Sequence, residues 1–511
     1  MKKTLLHITS EVSPYYKRGG LGDVLGALPK YLSNEEYDNV VISQYYYDRM
    51  ANLADCTCTP MEMEIFGIPY YFDCYSLIDE GVRYYFLNLS DQEVFASLEA
   101  ASDGDQPYKG SSSFMHYLYY GKAVLHLLES MEQPIAHVLC HDWQSNGLFA
   151  FQQEFNSLKS KHGFQTITII HNYEFQGDVF VDALNHLPSS VATVFKNIYA
   201  KHHSVSMLAL GMEHSDHVAT VSETYAAELE TGNVPHKGLK YLIPGKKIHA
   251  FTNGADYALW HPSRSPFLPQ NYDLSSLAPK RKLKKEIFEA CGFQTNGTSD
   301  DHPLLLVMSR LTYQKGIQLI LQDSHENAVA GMEKLLGDDL KMIIYGAPTG
   351  GLKGEVHEKF TALQAEFEGR LFYNPVYTEE TAHQYLAGAD IFMAPSLFEP
   401  CGLTQIYAMA FGTVPVVRPI GGLKDTVNDY NDSPENATGF YIPEFTNESM
   451  IQAIHQAMDI YTNAAEEWQE MVQRGMKQDF SWNKMKENYY DYFKSVTPPT
   501  GELAYAEVNV G

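Results

Sequence analysis

Asp390-Ile391-Phe392-Met393-Ala394-Pro395-Ser396-Leu397-Phe398-Glu399-Pro400-Cys401-Gly402-Leu403-Thr404-Gln405 is the stretch in which the chain declares what kind of sheet it builds. Its first six residues form a short apolar run that stops abruptly, as a buried strand of a parallel sheet does. A glutamate then stands at a turn punctuated by Pro400 and Gly402, ahead of a helix-like stretch over 403–411. Open α/β sheets place their chemistry at the carboxyl ends of parallel strands, beside helix N-termini. Glu399 occupies that place.

The same alternation extends through the rest of the chain. Strand-like runs fall at 4–9, 40–43, 84–89, 137–140, 166–170 and 217–221, and again at 304–308, 342–345, 371–375, 391–394 and 414–417. Helix-period segments such as 113–132 and 315–321 separate them. This repetition predicts an α/β protein with two parallel-sheet halves of similar size. A chain of 511 residues is also too long for one core. The boundary is expected where the strand 248–252 meets Asn253-Gly254-Ala255-Asp256 and a Pro/Ser-rich stretch. The domains are therefore read as 1–252 and 253–480. The remainder, 481–511, reads as an aromatic helix that packs back on the first domain, followed by a tail.

Composition narrows the function. The chain is 44% apolar and 20% charged, ordinary for a soluble globular protein. No apolar run reaches membrane-spanning length. The basic start Met1-Lys2-Lys3 leads into a first strand and not into a signal peptide. The six cysteines form no CxxC pair and no zinc-like spacing, which fits reduced thiols in a cytoplasmic protein. The net charge of −26 disfavours nucleic acid or an anionic membrane as partner. An anionic substrate would need a local cationic pocket, and Lys17 with Arg18, or Arg310 with Lys315, could supply it.

Several motifs sit at strand ends. Lys17-Arg18-Gly19-Gly20-Leu21-Gly22-Asp23-Val24 follows the first strand. Gly19 and Gly20 allow close approach of backbone to a ligand, and Lys17 adds a charge for phosphate. A tight strand-to-helix turn explains the same residues. Ser309-Arg310-Leu311-Thr312-Tyr313-Gln314-Lys315-Gly316 follows the strand 304–308. There Arg310 and Lys315 can converge on one diphosphate, or be two solvated cations. His141-Asp142-Trp143-Gln144 and His171-Asn172-Tyr173-Glu174 follow two further strands. Asp142 and His171 could bond sugar hydroxyls and Trp143 could stack on a sugar ring, although a satisfied buried histidine is the commoner case. Gly421-Gly422 ahead of a helix is a second possible phosphate cradle. Asp103-Gly104-Asp105 has the form of a metal signature but lies in a Ser/Asp/Gly loop, so no metal is expected.

Taken in order, the Lys17–Val24 motif resembles the KxGGLGDV element of the bacterial glycogen synthase and plant starch synthase family. The segments 141–143, 171–177, 253–256, 309–316, 398–405 and 421–427 each resemble a further element of that family, as does Asp479-Phe480-Ser481-Trp482. The resemblance spans roughly residues 4–492. It implies two Rossmann-like domains facing a cleft, the GT-B architecture. It implies transfer of glucose from ADP-glucose or UDP-glucose to the non-reducing end of an α-1,4-glucan, with retention of configuration and no cofactor. By the same resemblance Lys17 and Asp23 lie on the first-domain side, and Asp142 and His171 contact the transferred glucose. Arg310 and Lys315 hold the diphosphate, and Glu399 sits at the glucosyl group. Cys401, Gly402 and Leu403 offer backbone amides. Asn172, Asn253 and Thr404 fall among the matched substrate-binding positions, and Tyr108 matches a tyrosine near the donor sugar.

The sequence departs from the family at Arg18, usually Thr, at Gln144, usually His, and in the loop 345–351, which replaces a common GxGDP. Tyr407 stands where many related glycosyltransferases carry a second glutamate. Two alternatives remain open: a retaining transferase with another acceptor, and a glucan-binding protein without catalysis.

Overall fold

The apolar runs form strands because each is covered on both faces. A computed structural model describes residues 2–46, 55–89, 111–232, 247–337, 339–349 and 353–496. In the first domain the strands are β1 (Lys3–Thr9), β2 (Tyr37–Gln44), β3 (Thr57–Ile65), β4 (Ile68–Asp79), β5 (Val82–Asn88), β6 (Ile135–His141), β7 (Gln165–Ile170), β8 (Asp178–Val179), β9 (Val205–Ser206), β10 (His217–Thr220) and β11 (Ile248–Ala250). Nine of them form one sheet in the order β11-β10-β7-β6-β1-β2-β5-β4-β3, with β8 and β9 a separate ribbon. β1 pairs in parallel with both β2 and β6, so the strand order reverses beside it.

The second domain holds β12 (Leu304–Met308), β13 (Lys341–Tyr345), β14 (Leu371–Asn374), β15 (Ile391–Ala394), β16 (Val414–Val417) and β17 (Phe440–Tyr441). Their order is β14-β13-β12-β15-β16-β17, and every pairing is parallel. Here the order reverses between β12 and β15. Such reversal points leave a crevice at the strands' carboxyl ends, where open α/β sheets bind ligands.

The edge of the first sheet differs from expectation. β3, β4 and β5 run antiparallel, and the sequence reading finds neither β3 nor β4. β3 is Thr-Cys-Thr-Pro-Met-Glu-Met-Glu-Ile, mostly exposed and carrying Pro60. An edge strand needs no continuous apolar run and tolerates proline, so the cue used for buried strands fails there.

The chain crosses from the second domain back to the first at Phe480, whose carbonyl accepts from Ala255 N at 2.7 Å. The helix Trp482–Val496 then lies against the first sheet. Trp482, Met485, Tyr489 and Phe493 enter one apolar cluster with Leu5, Val41 and Ile167. Tyr490 Oη donates to the carbonyl of Leu32 at 3.0 Å. Cys401, two residues from Glu399, belongs to the same cluster. No described helix is long and apolar enough to cross a membrane.

Phe493 is fully buried, with its ring 4.6 Å from that of His137. Phe493→Ala should destabilise the first domain by about 3–5 kcal/mol. Urea unfolding checks this, and an unchanged midpoint would place the returning helix outside the cooperative fold.

Candidate active site

Three loops at the carboxyl ends of β12, β13 and β15 are joined by their backbones. Leu397 N donates to Gln314 O at 2.8 Å, and Leu311 N to Ala347 O at 2.9 Å. That zipper brings the end of one loop beside the middle of another. Lys315 Nζ therefore lies 2.5 Å from Glu399 Oε2, with only 9% of the glutamate side chain exposed. Ser396 Oγ donates to the same carboxylate oxygen at 3.0 Å. Arg418 Nη1 donates to the carbonyls of Ser396 and Leu397 and pins the turn from behind.

The turn after Glu399 is equally fixed. Gln405 Nε2 donates to the carbonyls of Cys401 and Gly402. Gly422 N donates to Glu399 O at 3.1 Å. Gly421, at φ +41°, lies so close that an added Cβ would run into the Glu399 carbonyl. The second glycine pair thus packs the glutamate turn. Among the described residues the amide N–H groups of Gly402, Leu403 and Thr404 have no acceptor. Arg310 is exposed and makes no ion pair with a described residue.

On the first domain, Asp142 follows β6 at φ +58° and ψ −178°, a region essentially reserved for glycine that costs another residue on the order of 1–3 kcal/mol. Its Oδ1 accepts from His171 N at 2.7 Å and from Asn172 N at 3.2 Å, closing the end of β7. Burial pushes its carboxyl up to about 7, against those two amide bonds. Burial holds His171 down to about 3, so its ring is neutral.

In the glycine-rich loop after β1, two backbone amides are already occupied from within the chain. Glu11 Oε2 already accepts from Arg18 N at 2.7 Å and Gly19 N at 3.1 Å. Burial raises the Glu11 carboxyl above its usual range. Lys17 Nζ donates to Asp23 at 2.7 Å and reaches Glu379 of the second domain at 3.5 Å. Burial alone would weaken the Lys17 ammonium, but Asp23 and Glu379 carry its pKa above the usual value. Gly19 and Gly20 have open space where a Cβ would stand.

The domains also meet behind the glutamate turn. Ser222 Oγ donates to Pro400 O at 2.5 Å, and Thr224 Oγ1 to Asp425 Oδ1 at 2.5 Å. Glu228 Oε1 accepts from Gly421 N at 3.0 Å.

Of the sequence-predicted residues, Glu399, Lys315, Cys401, Gly402, Leu403 and Thr404 form one group, with Arg310 on the same loop as Lys315. Lys17, Gly19, Gly20, Asp23, Asp142, His171 and Asn172 line the facing edge. Trp143 is a correction: it is 1% exposed, its ring packs on Tyr117 at 4.9 Å, and an added Cβ on Gly177 would strike it, so it has no face for a sugar. Asn253 is buried beside the Cys401 thiol at the domain crossing and is not open to the cleft. Tyr108 lies outside the described residues. Tyr407 stacks on Trp260 at 4.6 Å in the core. Sequence reasoning missed Glu11, Ser222, Glu379 and Ser396. Ser222 reads only as a helix cap, because its second partner lies 178 residues away.

The chain is similar to known proteins over nearly its whole length. The family model described as starch synthase catalytic domain matches residues 4–244, and that described as glycosyl transferases group 1 matches 292–477. The chain is 31% identical to a glycogen synthase of Lactococcus lactis, covering 96% of this chain and all of that one. It is 32% identical to a glycogen synthase of Lachnospira eligens, covering 97% and 100%. Among solved structures, the catalytic domain of starch synthase IV from Arabidopsis thaliana, bound to ADP and acarbose, superposes with a TM-score of 0.83. It is 26% identical, and the match covers 97% of this chain and 99% of that one.

The raised Asp142 carboxyl has a consequence for stability. Its folded pKa of about 7 exceeds the unfolded value, so the folded state keeps the proton longer as pH rises. The cost to stability is absent below the unfolded pKa, grows up to about pH 7 and is constant above. Asp142→Asn removes it while keeping an acceptor oxygen. Its melting temperature should therefore gain on wild type between pH 5 and pH 8; a gap independent of pH would refute the raised carboxyl.

Proposed function

The chain belongs to the glycogen and starch synthase family, and from that premise we propose that ADP-glucose is its donor and the non-reducing end of an α-1,4-glucan its acceptor. It is a glucosyltransferase of GT-B fold. The observation that carries the reading is the Lys315–Glu399 pair at 2.5 Å, beside Arg310 and the free amides of 402–404. A glucan-binding protein has no use for such a group, whereas a transferase must stabilise a departing diphosphate.

The proposed step is front-face displacement. The donor's glycosidic bond loosens toward an oxocarbenium-like state. Arg310 and Lys315 take up the charge that builds on the diphosphate, so the step is proposed to run without a metal ion. The departing phosphate oxygen deprotonates the glucan 4-hydroxyl, which attacks from the same face and retains configuration. Glu399, fixed by Lys315 and Ser396, positions the sugar and forms no covalent bond to it. Closure of the two domains excludes water and limits hydrolysis. Support for ADP over UDP is the ADP bound in the Arabidopsis starch synthase. All six cysteines are free thiols, which supports a cytoplasmic setting.

Purified protein with glycogen should release ADP from ADP-glucose at least ~10-fold faster than UDP from UDP-glucose. Release from neither donor, by folded protein, would overturn the reading. Glu399→Gln should lower turnover ~100-fold or more with the fold intact. Lys315→Ala should raise the donor KM and lower kcat together, and unchanged kinetics would put the diphosphate elsewhere.

A further inference from the structure

A file of polar groups runs through the first-domain core behind His171. His171 Nε2 is 2.9 Å from His141 Nδ1, and His141 Nε2 is 3.2 Å from His7 Nδ1. His7 Nε2 is 2.9 Å from Asn39 Oδ1. Asn39 Nδ2 donates to Ser33 Oγ at 3.1 Å, and Ser33 Oγ donates to the Pro29 carbonyl at 3.0 Å. His7 and His141 are completely buried and Asn39 is 1% exposed. The displacement step proposed above uses none of these side chains.

The file has a direction, and one end fixes it. A carbonyl oxygen only accepts, and a hydroxyl has a single proton. Ser33 gives its proton to Pro29 and must accept from its other neighbour. That turns the Asn39 amide nitrogen toward Ser33 and its oxygen toward His7. His7 then carries its proton on Nε2 and leaves Nδ1 bare. His141 must donate through Nε2 to that bare nitrogen, which leaves its own Nδ1 bare. His171 in turn donates through Nε2. Reversing the file would face Asn39 Oδ1 to Ser33 while Pro29 also needs the one hydroxyl proton, and a carbonyl would go without a partner. Burial keeps His7 and His171 neutral, at about 4 and about 3, and holds His141 well below its usual value. Each ring therefore has one proton to place.

We propose that Ser33, Asn39, His7 and His141 are positioning residues that fix His171 as its Nε2–H tautomer, so that its bare Nδ1 accepts a hydrogen bond from a hydroxyl of the sugar in the cleft. His171 Nδ1 has no partner among the described residues, and the residue is partly exposed at the carboxyl end of β7. An oppositely protonated ring would meet a hydroxyl as a donor and reverse that hydroxyl's own hydrogen bonds. The identity of the hydroxyl rests on the glucosyl-transfer reading; the tautomer does not.

The test is two-dimensional ¹H–¹⁵N NMR of the ligand-free full chain labelled with ¹⁵N-histidine, at neutral pH, with His171→Gln used to assign the His171 ring. A protonated Nε2 and a pyridine-like Nδ1 on His171 are expected, and a protonated Nδ1 overturns the proposal. His7→Leu removes the link between Asn39 and His141. It should mix the His171 tautomers and lower kcat ~10-fold with little change in the donor KM. His7→Gln, whose amide can donate to Asn39 and accept from His141, should restore both. Identical His171 signals and kcat in wild type and His7→Leu would also overturn it. If wild type transferred no glucose yet showed the bare Nδ1, the tautomer would stand and the glucan reading would fall.

Discussion

The contact on which the site depends is the pairing of two loops, the backbone zipper that sets Lys315 against Glu399. It exists because β12 and β15 are parallel neighbours, so their outgoing loops leave from one edge of the sheet. A cation and a carboxylate held this close neutralise each other until a ligand arrives. Under the proposed reading, an incoming diphosphate would draw Lys315 outward and free the Glu399 carboxylate to face the sugar, which would couple donor binding to the arrangement of the glutamate.

Charge placement follows the same logic. The chain carries a net −26, and two of its cleft cations are handled differently. Lys17 is held by Asp23 and by Glu379 across the cleft, so it acts between domains. Arg310 has no ion-pair partner among the described residues, and in the proposed reading it is the cation left to attract a diphosphate against the overall field. The glutamate turn is tied to the first domain through Ser222 and Glu228, and its Cys401 sits in the cluster filled by the returning helix. The glutamate turn is thus one of the places where the two domains are in direct contact.

The sequence was most legible where burial is two-sided. β12, β15 and β16 coincide with the apolar runs 304–308, 391–394 and 414–417, because parallel strands covered on both faces leave no other pattern. The hairpin β3–β4 was illegible, since an exposed edge leaves no apolar run. Strand-end position picked out Glu399, Lys315 and Arg310, because parallel topology gathers strand ends. It could not show that Trp143, one residue beyond Asp142, turns into the core, nor that Glu11 fills the amides of the glycine loop. Those depend on which side chain reaches a pocket first, which is a tertiary fact. The histidine file was equally hidden, because its members are spread from residue 7 to residue 171.

The Lys315–Glu399 pair and the amides beside it form the proposed donor site. A crystal structure of the protein with ADP tests it directly. The account predicts the diphosphate between Arg310 and Lys315, within hydrogen-bond distance of the Gly402 or Leu403 amide, and Lys315 drawn away from Glu399. A diphosphate bound instead at Gly19 and Gly20, with the Lys315–Glu399 pair undisturbed, would contradict it.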